Sequence, residues 1–278
     1  MFTQAGGEAV QLDFSQRVVL VTGGTRGIGR AIALAFGRYG ASTVLTYRWG
    51  TADEEELRRA FRDAGAPEPL LVQADAAEDE DTDALLAAVH ERHPGGVDVF
   101  VSNVAGSVVI RDFDKMTERA LTKSIHYSSW PMFGYLQKIR AKFGRYPRYA
   151  LALSSPGPDS YSPGYEFVAA SKAVLETLCR YANYRLRNEN VNINVIRAGA
   201  IKTQAAEEMF GTELFDFLER LAPDGHEWLD MAEVANVAVA LSSGLLDALS
   251  GQVITVDRGD GFSDNLMRLY AEREELGL

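Results

Sequence analysis

The chain has 278 residues, of which 46% are apolar and 24% charged, and its formal net charge is −11. This size suits one α/β domain with a sizeable core, and the negative charge argues against nucleic acid, which is bound mainly through Lys and Arg. The four His and the single Cys179 show no metal-ligand spacing, and no segment reads as a signal peptide or a membrane span. We therefore expect a cytoplasmic protein without a metal, an intramolecular disulfide, or a nucleic-acid or membrane partner.

The first elements predict a dinucleotide site. Residues 1–14 lack periodicity and predict a loose N-terminal arm. A buried strand over residues 17–21 then leads into a glycine-rich turn and a helix that ends near Gly40. Glycines in this setting let the backbone approach a pyrophosphate at the positive end of a helix. The candidate cofactor-binding residues of the turn are Gly23, Thr25, Arg26, Gly27, Ile28 and Gly29.

The end of the second strand bears on the choice of cofactor. This strand, residues 42–46, ends in Tyr47 and Arg48. An NAD site usually carries an acid here to bind the ribose hydroxyls, whereas Arg48 and Arg26 would suit a 2′-phosphate. The pattern favours NADP(H) over NAD(H). The alternative is that either arginine is a solvated surface charge.

Strands and helices alternate along the rest of the chain. Further strands are predicted at residues 70–72, 97–101, 149–153, 191–196 and 252–256, and helices at 53–64, 82–91, 114–142, 169–186, 231–243 and 265–275. This order predicts a single domain with one Rossmann-type doubly wound parallel sheet and helices on both faces. Ligands of such sheets bind at the carboxyl ends of the strands. Asp75, Asn103 and Ser155 are among the polar residues expected there.

The stretch after the fifth strand carries candidate catalytic residues. Ser162 is a good N-cap and Pro163 suits a first helical position, so the helix is predicted to begin there. Tyr165 and Lys172 are seven residues apart and therefore share one helical face. A phenol and an ammonium placed this way suit proton donation. The alternative is that the two residues share a face by chance.

Together these motifs resemble the short-chain dehydrogenase/reductase superfamily over residues 17–259. The resemblance rests on Thr22-Gly23-x-x-x-Gly27-x-Gly29, Asp75, Asn103, Ser154-Ser155, Ser171-Lys172 and Gly199…Thr203. It implies a nicotinamide cofactor, hydride transfer, and a homodimer or homotetramer. The cofactor-binding residues that it adds to the glycine turn and Arg48 are Asp75, Ala76, Asn103, Ala105, Lys172, Gly199, Ile201 and Thr203.

The chain departs from the usual family pattern in ways that bear on its reaction. Val168 stands where most members have the catalytic Tyr, four residues before Lys172, and Ala198 stands where a Pro is common. No Asn occurs in the helical region 114–142, where many members have a catalytic one. A Tyr seven residues before the Lys, here Tyr165, is the spacing of the enoyl-thioester reductases. With Tyr161, the serine pair and Arg48, the chain resembles the NADPH-dependent bacterial enoyl-acyl-carrier-protein reductases.

This resemblance implies the reduction of an enoyl thioester carried on coenzyme A or an acyl carrier protein. Tyr165 would stabilise the enolate oxygen, and Ser155 or Tyr161 would be a second donor. Lys172 would hold the nicotinamide ribose and lower the pKa of the phenol. One alternative is a ketoreductase of polyketide or other specialised metabolism. Another is a catalytically silent NADP(H) sensor or partner-binding protein, which Val168 motivates.

Two further segments are assigned to substrate and carrier. Residues 204–228 are expected to cover the substrate, and their apolar side chains would either line the pocket or pack on the core: Met209, Phe210, Leu214, Phe215, Phe217 and Leu218. A basic cluster would either dock an acidic carrier protein or be a solvated surface: Arg140, Lys142, Arg145 and Arg148.

Overall fold

Seven parallel strands form one sheet in the order β3-β2-β1-β4-β5-β6-β7, which confirms the predicted fold class. The computed structural model describes residues 11–48, 53–106, 109–221, 229–262, 265–274 and 276–277. The strands are β1 Val18–Val21, β2 Ser42–Tyr47, β3 Leu70–Gln73, β4 Val99–Ser102, β5 Tyr149–Ser154, β6 Asn192–Ala198 and β7 Val253–Val256. The order reverses between β1 and β4, which creates the crevice where such sheets bind ligands.

Helices cover both faces of the sheet. They are α1 Gly27–Arg38, α2 Glu54–Asp63, α3 Asp79–Arg92, α4 Glu118–Ser128, α5 Trp130–Phe143, α6 Glu166–Arg185, α7 Gln204–Phe210, α8 Thr212–Leu221, α9 Met231–Leu241 and α10 Asn265–Ala271. Helices α1 and α9 pack together on one face, while α4 packs on α6 and α3 on α5. No helix in the described ranges is both long and apolar enough to cross a membrane.

Each strand feeds two hydrophobic cores because its side chains alternate between the faces of the sheet. In β1, Val19 and Val21 join the core beneath α1 and α9, whereas Leu20 joins the opposite core. In β5, Leu151 and Ala152 divide in the same way. A strand buried on both faces gives the continuous apolar runs from which the sheet was predicted.

The predicted start of α6 is wrong. Ser162 and Pro163 lie in a turn, and the helix begins at Glu166 with Tyr165 as its N-cap. Gly164 has a φ of +74°, a left-handed conformation that ends any helical run begun before it. The change places Tyr165 at the first turn of the helix, where its carbonyl still accepts from the backbone N–H of Ala169 at 2.8 Å.

Two other boundaries also differ. The helical region predicted over residues 114–142 is two helices separated at Ser129, because Pro131 starts a new helix in its first turn. Residues 1–10 of the predicted loose arm lie outside the described residues. Phe14, at its end, is buried against Phe36, with ring centroids 5.1 Å apart, so this part of the predicted arm is packed and not loose.

Candidate active site

Asn103, which follows β4, holds the backbone of the glycine turn after β1 in place. The side-chain nitrogen of Asn103 donates to the carbonyls of Thr22 at 3.0 Å and Gly23 at 3.2 Å. A Cβ added to Gly29 would come within 2.4 Å of the Gly23 carbonyl oxygen, so only glycine fits there. The turn then enters α1 at Gly27. These residues fit a pyrophosphate, since bare backbone and a helix N-terminus meet at one point.

Arg48 lies at the same edge of the sheet and is engaged on two sides. Its Nε pairs with Asp75 at 2.6 Å, and its guanidinium lies 5.0 Å from the ring centroid of Tyr127. The Nζ of Lys123 is 5.9 Å from that centroid. Arg48 and Asp75, both predicted to contact the cofactor, are therefore brought together. The ion pair with Asp75 uses the Nε of Arg48, and Lys123 adds a second positive charge near the same ring.

The other predicted cofactor residues surround the same crevice. Thr25, Ala76 and Ile201 are buried, Ile28 is half-buried, and Ala105 and Arg26 are exposed. Gly199 follows β6, where a Cβ would come within 2.9 Å of Asp257. The hydroxyl of Thr203 accepts from the backbone N–H of Ala206 at 3.1 Å and so caps α7. Their contacts with a cofactor stay predictions.

One face of α6 holds three consecutive residues at the end of β5. The Tyr165 hydroxyl donates to Ser155 Oγ at 3.0 Å. Lys172 Nζ donates to the carbonyl of Leu153 at 2.8 Å. Glu176 accepts from the hydroxyl of Ser154 at 2.6 Å. Positions seven and eleven residues after Tyr165 fall within about 20° of it around a helix, so one stripe of α6 supplies all three contacts.

Tyr165 is enclosed, whereas Tyr161 is not. The ring of Tyr165 stacks on Phe210 of α7, with ring centroids 5.8 Å apart, and it lies so close to Gly157 that a Cβ there would come within 2.7 Å of it. Tyr161 lies on the preceding loop and is 82% exposed. A cavity of about 280 Å³ lies between that loop and Tyr165. Of the two candidate phenols, the structure brings Tyr165 against Ser155.

The prediction that Lys172 lowers the pKa of Tyr165 is wrong. Burial raises the pKa of Tyr165, and the hydrogen bond with Ser155 only partly offsets this. Lys172 donates to a backbone carbonyl and not to the phenol, so its charge does not stabilise the phenolate here. Tyr165 is therefore suited to act as a neutral hydrogen-bond donor.

Lys172 is buried, and burial lowers its pKa to about 8, while the nearby carboxylate of Glu176 acts in the opposite direction. A group with this pKa is mostly cationic at neutral pH and becomes neutral in mildly alkaline solution. Val168, which stands in place of the usual family Tyr, is buried, and its carbonyl accepts from Ser171 Oγ at 2.7 Å. It packs in the core.

The phenylalanines of the segment predicted to cover the substrate differ in their surroundings. Phe210 faces Tyr165, Phe215 is buried, and Phe217 is about half exposed. Residues 222–228 lie outside the described residues. Phe210 is therefore the cover residue with a direct contact to the candidate donor.

The basic cluster lies at the wrong end of the sheet for a carrier that delivers substrate. Arg148 immediately precedes β5, and Arg145 bonds to Asp98, which precedes β4. Arg148 pairs with Asp247 at 2.6 Å and Arg140 lies 3.9 Å from Glu189. Three of the four cations, Arg140, Arg145 and Arg148, are thus held in ion pairs near the amino ends of the strands. The structure favours the surface alternative for this cluster over carrier docking.

Sequence reasoning missed Glu176 and Arg197. Glu176 is one turn beyond Lys172, so helical periodicity would have placed it on the same face. Arg197 meets Glu176 and Asp159 only through the folding of distant segments. No local pattern distinguishes Arg197 from a surface residue.

Known proteins resemble this chain in sequence and in fold. A family model described as enoyl-(acyl carrier protein) reductase matches residues 23–260. The 3-oxoacyl-[acyl-carrier-protein] reductase MabA of Mycobacterium bovis is 32% identical over 270 residues, covering 93% of this chain and 98% of that protein. The 3beta-hydroxysteroid dehydrogenase 1 of Eggerthella lenta is 30% identical over 250 residues, covering 89% and 94%. An enoyl-[acyl-carrier-protein] reductase (NADH) structure from Aquifex aeolicus gives a TM-score of 0.78 at 25% identity, covering 92% of this chain and 99% of that chain.

Proposed function

The chain belongs to the short-chain dehydrogenase/reductase superfamily and is an oxidoreductase of that family, and we propose that it is an NADPH-dependent reductase of enoyl thioesters. The observation that carries this proposal is the hydrogen bond of 3.0 Å between the Tyr165 hydroxyl and Ser155 Oγ, next to the buried Lys172. It supplies an oriented donor at the end of β5, in the absence of a Tyr at position 168.

The cofactor would be held by the edge of the sheet that carries the glycine turn. The backbone at Gly23 and Gly29 would take the pyrophosphate, and Arg48 with Arg26 would take the 2′-phosphate. When bound, the nicotinamide supplies the hydride. Lys172 would hold the ribose hydroxyls, for which it would exchange its bond to the Leu153 carbonyl.

Tyr165 would act on the oxygen where negative charge develops. Reduction at the β-carbon of an enoyl thioester builds charge on the thioester oxygen. The Tyr165 hydroxyl would turn from Ser155 to donate to that oxygen, with Ser155 or Tyr161 as the second donor. A donor fixed in this way lowers the barrier by about 3 kcal/mol. A raised phenol pKa suits this role, because the group keeps its proton while donating.

A carbonyl reductase is the second candidate, and the relatives at 32% and 30% identity favour it. One is named as a 3-oxoacyl reductase and the other as a hydroxysteroid dehydrogenase. In that reaction the same Tyr165 would give its proton to the developing alkoxide. The two candidates share the site and the cofactor, and differ in which carbon accepts the hydride.

Oxidation of NADPH with a crotonyl thioester, a β-ketoacyl thioester and no substrate would separate them. We expect turnover with the crotonyl thioester well above the other two reactions. Faster turnover with the β-ketoacyl thioester would select the carbonyl reductase. Tight NADPH binding with no turnover across a broad panel of both substrate types would instead favour a sensor or partner-binding protein.

A further inference from the structure

We infer that Arg197 and Glu176 form a buried brace that positions the donor loop, residues 155–165, against α6. Both would be positioning residues for the proposed reaction, so the inference rests on the proposed site. Neither belongs to the residues expected to touch substrate or cofactor. Glu176 lies one turn from Lys172 and bonds to Ser154, the residue before Ser155, so the pair is adjacent to two of the candidate catalytic residues.

The brace begins with a two-pronged ion pair. Arg197 Nη2 donates to Glu176 Oε2 at 2.6 Å, and Arg197 Nε donates to Glu176 Oε1 at 3.1 Å. The side chain of Glu176 is 6% exposed and that of Arg197 is 12% exposed. Two parallel bonds between planar groups fix orientation as well as distance. This pair therefore sets the angle between α6 and the end of β6.

Each partner also bonds to one point of the donor loop or to the residue just before it. Glu176 accepts from Ser154, the residue before the one that bonds Tyr165. The remaining nitrogen of Arg197, Nη1, bonds to the carboxylate of Asp159, in the middle of the loop. The loop is thus tied at both points to one arginine–glutamate pair. A shift of that pair would move Ser155 relative to Tyr165.

The brace also places a negative charge one helical turn from Lys172. Burial lowers the pKa of Lys172, and the negative charge of Glu176 raises it again in part. The other group that acts on Lys172 is Cys179, further along α6, whose own pKa burial raises to about 12. Because Arg197 pairs with Glu176, it weakens the effect of that carboxylate on the pKa of Lys172. The pair therefore influences the protonation of Lys172 as well as the position of the loop.

The test compares Arg197→Gln with a matched control, Arg148→Gln. Arg148 pairs with Asp247 at 2.6 Å, as Arg197 does with Glu176, but lies at the other end of β5. Hydrogen exchange would be followed at the amides of Asp159 and Ser160, which bond to the carbonyl of Pro156 at 2.9 and 3.0 Å. We expect Arg197→Gln to speed their exchange about tenfold and to lower kcat about 10- to 100-fold, with the Kd of NADPH unchanged.

Arg148→Gln should leave kcat and exchange at both loop amides within about twofold of the wild type. If the two variants behave alike at the loop, the brace is overturned. Asp159→Ala removes only the exposed arm, since the Asp159 side chain is 70% exposed, and should fold even if Arg197→Gln does not. It should raise loop exchange severalfold; unchanged exchange would contradict the tie between Arg197 and the loop. Arg197→Lys keeps the positive charge but cannot make the two parallel hydrogen bonds to Glu176. Its kcat should therefore lie between those of Arg197→Gln and the wild type.

Hydrogen exchange is measured without any substrate turnover. The proposal for the brace and the proposed function can therefore be contradicted independently of each other. A wild-type protein that reduces neither thioester, with the expected exchange changes, would remove the proposed function and keep the brace. Turnover of the crotonyl thioester with unchanged loop exchange in Arg197→Gln would do the reverse.

Discussion

The two ends of β5 are both tied by an arginine–carboxylate pair, yet they differ in what the pair touches. At the amino end, Arg148 and the Tyr149 hydroxyl bond to Asp247, whose side chain is 40% exposed. At the carboxyl end, Arg197 and the Ser154 hydroxyl bond to the buried Glu176, beside Lys172 and the donor loop. The first arrangement joins surface segments. The second joins buried residues to the groups proposed for catalysis, so the same chemistry should have a catalytic effect at one end only.

Removing the phenol should give the largest change at the carboxyl end. Tyr165→Phe should lower kcat about 10²- to 10³-fold, because it removes the donor aimed at the developing oxyanion. NADPH binding, measured by fluorescence titration, should stay nearly intact. Tyr181→Phe is the matched control, and its kcat should change less than about twofold because Tyr181 lies far along α6 and is 69% exposed. A Tyr165→Phe enzyme with undiminished turnover would exclude Tyr165 as the donor.

Raising the pH should remove the charge of Lys172. Because its pKa is lowered to about 8, the ammonium is present below that pH and is lost above it. We expect kcat/KM to fall as pH rises through about 8, by up to tenfold per pH unit. Glu176 holds that pKa up, so Glu176→Gln should move the alkaline limb to lower pH. A limb that does not move in this variant would contradict the link between Glu176 and Lys172.

The cofactor edge gives a smaller and more selective change. Arg48→Gln should raise the KM for NADPH about tenfold and leave the KM for NADH nearly unchanged. The variant removes a cation and also frees the carboxylate of Asp75, and both changes disfavour a 2′-phosphate. Steady-state kinetics with the two cofactors would measure this. Equal changes in both KM values would mean that Arg48 does not select NADPH.

At the amino ends of the strands, we expect loss of stability without loss of activity. Asp98 bonds to Arg145 at 2.9 Å and accepts from the backbone N–H of Val18 at 2.9 Å. Asp98→Asn should lower the free energy of unfolding by about 1 to 2 kcal/mol, measured by urea denaturation, with kcat unchanged. A kcat that falls together with stability would show that the two ends of the sheet are not independent.

The sequence predicted the sheet and the glycine turn because their signals are local. A strand such as Val18–Val21 is apolar throughout, and Gly29 is required by one close backbone approach. The start of α6 was misplaced because Ser162 and Pro163 satisfy the usual rules, whereas Gly164 adopts a left-handed φ that they do not reveal. The two alternatives for the basic cluster stayed open in the sequence for another reason. Its ion-pair partners Asp98, Glu189 and Asp247 are remote in sequence.

The site was predictable only in part, for reasons of distance and environment. Tyr165 and Lys172 were found from their helical spacing. Arg197 is 21 residues from Glu176 and 38 from Asp159, so its role depends on the packing of β6 beside β5. The pKa of Tyr165 depends on how deeply its ring is enclosed, and a sequence does not show that.

The packing of the Tyr165 ring has a consequence for how substrate preference can change. One neighbour is Gly157, which leaves no space for a larger residue, and another is Phe210, which belongs to α7, in the segment predicted to cover the substrate. Any exchange at Phe210 that reshapes the pocket also alters a surface against which the phenol rests. A substitution at Phe210 that changes the substrate preference should therefore also change the orientation of the Tyr165 hydroxyl. In a library of Phe210 variants, we expect few enzymes to accept a new substrate without a lower kcat on every substrate tested.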